Sequence, residues 1–94
     1  MPALNAVSQF SFPQRLTHAE AMGVLSELNA ALQGGVQRLD LSALTEFDSS
    51  ALSVLLAARR AGRDGMRARC VNAPDKLRKL AILYGVEPLI FDEA

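Results

Sequence analysis

The chain has no tryptophan, one cysteine and one histidine in 94 residues, with 5% aromatic content and a formal net charge of zero. Each shortage closes off a class of function. Cys70 alone cannot form an internal disulfide, and its alternation with Met66 and Ala68 predicts a core strand position and a buried, inert thiol. With one histidine, no cysteine cluster and no acid pair at ligand spacing, no metal site and no cofactor are expected. Scarce aromatics and the lack of a Gly-aromatic platform make nucleic acid a poor partner. Apolar runs are only a few residues long, too short to span a bilayer, and no basic segment leads into an apolar stretch near Met1, so a cytoplasmic protein is expected. A chain of this length buries roughly 60 to 70% of its unfolded surface, enough for one core but not for a sizeable internal substrate cavity. Catalysis is therefore not expected.

Half of the residues are hydrophobic, and their spacing carries the reading. Residues 4–12 alternate as a strand that Pro13 stops. Thr17 or His18 opens a helix with Met22, Leu25, Leu28 and Leu32 along one side, and Gly34 and Gly35 end it. Val36, Leu39 and Leu41 supply a short strand. Ala51 to Ala61 is too rich in Ala and Leu to be anything but helix. Met66 to Val71 forms the next strand. Asn72 is expected to cap a helix running to Tyr84, with Pro74 in its first turn, Asp75 three residues past the cap, and Gly85 ending it. The closing VEPLIF reads as a last strand. Charge is uneven along this chain: Arg59, Arg60, Arg63, Arg67, Arg69, Lys76, Arg78 and Lys79 face only Asp64 and Asp75. Such a band suits an acidic partner surface, or serves as an ordinary solvated face.

The most informative segment is Val36 to Gly62, VQRLDLSALTEFDSSALSVLLAARRAG, in which a strand and a short loop lead to Asp48, Ser49 and Ser50 at a helix mouth. Asp48 or Ser49 can cap the first turn, and the positive end of the helix dipole favours negative charge on a neighbouring hydroxyl. Ser50, Val54, Ala57 and Ala61 recur at i, i+4, i+7 and i+11, so burying the leucines on the sheet predicts a flat small-residue docking side topped by a hydroxyl.

The pattern LDLS, loop, FDSSAL and a Leu/Ala helix resembles the STAS domain family, and the resemblance runs over nearly the whole chain. Within that family it is most similar to the small cytoplasmic STAS subunit of the Mla phospholipid-transport ABC complex, whose third helix carries a run like Leu80, Ala81, Ile82, Leu83 and Tyr84. The resemblance implies an α/β fold: one STAS-like domain over residues 1–94, with a mixed central β-sheet of four to five strands covered by three helices. The first edge strand has little room before Phe12. It further implies a non-catalytic cytoplasmic subunit that binds and supports the ABC transporter ATPase in maintaining outer-membrane lipid asymmetry, reaching the inner membrane only indirectly through its complex. The partner-binding or phosphorylation candidates are then Asp48, Ser49, Ser50, Ala51, Val54, Ala57 and Ala61. The alternative is an anti-anti-sigma-factor-like phospho-switch that binds a kinase-type anti-sigma factor. In those proteins the phosphorylated serine corresponds to Ser50, but a glycine usually follows it where this chain has Ala51. In the transporter subunits the important hydroxyl aligns with Ser49.

Overall fold

Leu39 is fully buried at the centre of a short parallel sheet, and the other elements are arranged around it. The computed structural model describes residues 9–61 and 68–91. In it β1 (Gln9–Ser11), β3 (Arg38–Asp40) and β5 (Arg69–Val71) form one sheet in the order β1-β3-β5, with Phe10, Leu39 and Cys70 in register. Those three side chains pack into the core while Gln9, Ser11, Arg38 and Arg69 are exposed, which is the period-two alternation of a sheet buried on one face. A second, two-residue ladder pairs β2 (Arg15–Leu16) with β4 (Glu46–Phe47). It buries Leu16 and aligns Arg15 with Glu46 in a 3.0 Å ion pair.

Four helices complete the described residues: α1 (His18–Gln33), α2 (Ser49–Ala61), α3 (Asp75–Leu83) and α4 (Glu87–Ile90). Helices α1 and α2 are the crossovers between successive parallel strands, and right-handed crossovers stepping the same way put both on one face of the sheet. Helix α1 begins as the sequence predicts. Glu20 accepts the Thr17 amide at 2.8 Å and the Thr17 hydroxyl at 2.6 Å, as in a capping box. Both α1 and α3 end in Schellman turns with glycine in the left-handed region, Gly35 at φ 97° and Gly85 at φ 73°. The paired bonds are Val36 N–H to the Ala31 carbonyl and Gly35 N–H to Leu32, then Val86 N–H to Ala81 and Gly85 N–H to Ile82.

Several expectations need correction. Met22 is 80% exposed: the buried stripe of α1 is centred on Val24 and Leu28, and Met22 lies about 120° from Leu28 around a helix of 3.6 residues per turn. Asn72 does not cap α3. It adopts φ 59°, a conformation asparagine tolerates, and its amide donates to Asp40 at 3.1 Å, while Pro74 occupies the cap with extended backbone. The segment read as a closing strand contains α4, because Pro88 fits the first turn of a helix and lacks the N–H a strand needs. Ile90 and Phe91 turn into the core from it. The sheet is expected to be mixed, yet every described pairing is parallel, and four helices are present where three are expected. The parts of the expected strands at residues 4–8 and 66–67 lie outside the described residues, as does the first edge strand in question.

Candidate functional site

Asp48 is the hinge point of the candidate site. The α1–α2 crossover geometry brings the first turns of both helices to it: Asp48 Oδ1 accepts the Ser50 amide at 2.8 Å and Oδ2 accepts the His18 amide at 3.2 Å. One carboxylate thus caps α2 and ties the start of α1 to it. The Ser50 N–H holds the Asp48 carboxyl below its ordinary range, with the His18 N–H adding to this against some desolvation. His18 meets Asp48 through its backbone and is itself exposed. The arrangement is a capping bridge, without the geometry of an acid–histidine–serine relay.

The sequence-derived candidates divide sharply in exposure. Asp48 and Ser49 are exposed and Ser50 is half-buried, so the polar mouth is open to a partner. Ala51 is fully buried, Val54 is 2% exposed, and Ala57 is half-buried. Ala61 closes α2, but its side chain falls outside the described residues. The line Ser50, Val54, Ala57, Ala61 is therefore not a free surface along its length. Helix α2 is apolar on more than one side because it packs against both α1 and α4 and its leucines join the common core. Its outward stripe lies one residue earlier, at Ser49, Ser53, Leu56 and Arg60, of which only Leu56 is half-buried. The polarity of Ser49, Ser53 and Arg60 at i, i+4 and i+11 is the signal that marks this stripe in the sequence.

Among the described residues the basic band is divided between α2, the sheet and α3. Arg59 donates to the Ala68 carbonyl at 3.0 Å, and Arg78 pairs with Glu87 at 3.6 Å while lying 4.7 Å from the Phe91 ring centroid. Arg69 is on the open face of the sheet, and Lys76 and Lys79 are exposed on α3. Arg63, Asp64 and Arg67 lie outside the described residues. Cys70 is half-buried and burial pushes its thiol up to about 11, so it stays protonated at neutral pH.

An open groove of about 600 Å³ runs between the β1–β2 connection and α1, lined by Arg15, Glu20, Gly23 and Glu27 among others. It includes none of the residues at the α2 mouth. Among the described residues no cluster of three or more histidine, cysteine, aspartate or glutamate side chains is placed to hold a metal ion, and no helix is long and apolar enough to cross a membrane.

A family model described as "Mlab, STAS domain" matches residues 13–90, from the connection between β1 and β2 to the last residue of α4. No curated protein matches the chain.

Proposed function

Because the chain belongs to the STAS domain family, whose domains are generally non-catalytic interaction modules, we propose that it is the STAS subunit of a phospholipid-transport ABC complex. In this reading it docks on the ATPase subunit at the inner membrane and supports its assembly or activity. The observation that carries the reading is the family match over residues 13–90, which spans both the Asp48–Ser49–Ser50 mouth and the helices behind it. The footprint is the polar mouth with the α2 flank beside it: Asp48, Ser49 and Ser50, then Ala57 at the edge of the exposed stripe. Ala51 and Val54 support that surface from below.

A phospho-switch that binds a kinase-type anti-sigma factor is a second reading, and one observation favours it. The Ala51 methyl is fully buried, so it does not crowd the approach to Ser50 as an exposed methyl would. A phosphate on Ser50 would add close to two negative charges beside the Asp48 carboxylate and would compete for the N–H groups that carboxylate holds.

Co-purification of the tagged chain from its host, with identification of the proteins retained, tests the proposal. An ABC transporter ATPase retained in proportion to the tagged chain is the expected result. A kinase-like anti-sigma factor in its place would establish the second reading, and a turnover of ATP or esters by the pure chain that Ser49→Ala abolishes would overturn both.

A further inference from the structure

The helices that cover the core leave one apolar surface uncovered. Ile82, Leu83 and Tyr84 at the end of α3 are 60%, 78% and 57% exposed, and Leu89 of the adjoining α4 is 59% exposed. Tyr84 stands seven residues after Leu77 and four after Leu80, a spacing that predicts a core position, yet it projects outward. Scattered single apolar residues need no explanation, but Ile82, Leu83 and Tyr84 fan about 200° around the last turn of α3, so the whole end of that helix is apolar.

Charge and composition decide what the patch fits. Lys76 and Lys79, both exposed, lie two turns and one turn before Leu83 on the same side of α3, so the apolar tip carries a basic flank. Leucine and isoleucine at a tip, a tyrosine beside them and lysines set back from it form the pattern of a side that rests in the headgroup region of a bilayer. There the aliphatic groups enter the acyl boundary, the phenol stays at the interface, and the ammonium groups reach the lipid phosphates.

From this arrangement we infer that the α3–α4 tip is a peripheral contact for an anionic lipid surface, made directly by this chain. The contact is independent of the identity of any protein partner and uses none of the α2 mouth. Its strength is modest, since one apolar tip without a second anchor gives reversible attachment.

The test is flotation of the full chain with vesicles of phosphatidylcholine alone and of phosphatidylcholine containing phosphatidylglycerol. The chain should float with the anionic vesicles and much less with the neutral ones. Leu83→Asp should lower the bound fraction about tenfold, and neutralisation of Lys76 or Lys79 to Gln about fivefold each. Because Leu83 is largely exposed, its variant should keep the wild-type circular dichroism spectrum, and Tyr84→Asp gives a second check. Failure to float with anionic vesicles would overturn the inference. So would flotation that salt abolishes but Leu83→Asp leaves unchanged, which is attraction by net charge alone. A dimer in sedimentation equilibrium that Leu83→Asp dissociates would assign the tip to a second copy, and loss of a co-purified protein in that variant without vesicle binding would assign it to a protein partner. Either result would overturn the lipid contact.

Discussion

At the scale of single residues, Asp48 does more than the sequence motif requires, because its two oxygens serve two helices. Its folded-state pKa is depressed, so its contribution to stability is present above the unfolded carboxylate pKa, about 4, and is lost as the pH falls through the lower folded value. Asp48→Asn should therefore melt at a lower temperature than wild type at pH 7, with the gap closing as both proteins are taken below that range. Thermal melts followed by circular dichroism across the pH series give the answer, and a gap that stays constant with pH would mean that the charge on Asp48 is unimportant. At Ser50 a Glu substitution places a second carboxylate next to Asp48 and in the proposed partner footprint, so partner affinity should fall in a binding titration. Ser49→Ala, which leaves the Asp48 bonds intact, should keep the folded state unchanged in the same melts.

At the scale of elements, α2 separates support from contact. Val54→Ala removes two buried carbon groups and should cost about 2 kcal/mol in denaturant unfolding with little change in partner affinity once the protein is folded. Ala57→Arg, at the half-buried edge, should instead remove binding while leaving a folded monomer. If Val54→Ala and Ala57→Arg affected binding equally, α2 would not have distinct inner and outer sides. Gly85→Ala, forced into φ 73° at the α3 turn, should destabilise by about 1 kcal/mol, again read by denaturant titration.

The elements also show where sequence periodicity is enough. The start of α1 at Thr17, its stop at Gly34 and Gly35, the strand around Leu39 and the helix after Asp48 all follow from local chemistry: caps, left-handed glycines and a continuous Ala/Leu run. β2 and β4 have two residues each, too few for any period to register. The short apolar segment around α4 fits a buried strand or a helix turn equally well, and only Pro88 points to the latter. The outward side of α2 lies one residue, a 100° rotation, from the side that small-residue spacing indicates, because which side α1 and α4 cover depends on tertiary packing. For the candidate site, the Asp-Ser-Ser mouth was legible and its exposure agrees with a docking role, whereas the bond from His18 to Asp48 joins residues 30 apart in the chain and has no local signature.

At the scale of the whole molecule, the domain presents two separate outward features on one small core: the polar mouth of α2, held by a carboxylate shared between helices, and the apolar tip of α3 and α4. The family match suits an interaction module, and under the proposed reading the mouth of α2 serves assembly of a transporter. Exposed charges are screened over about 8 Å at physiological salt and change association rates more than affinity. Reversal of Arg69, on the open sheet face, should accordingly slow binding of the ATPase without abolishing it. The most direct measurement of the central claim is surface-immobilised binding of the co-purified ABC ATPase to wild type, Ser50→Glu and Ala57→Arg at low and high salt. Wild type should stay bound at high salt, Ser50→Glu should be weakened, and Ala57→Arg should be lost. A complex that high salt alone dissociates, or that both variants form as tightly as wild type, would contradict docking through the mouth of α2.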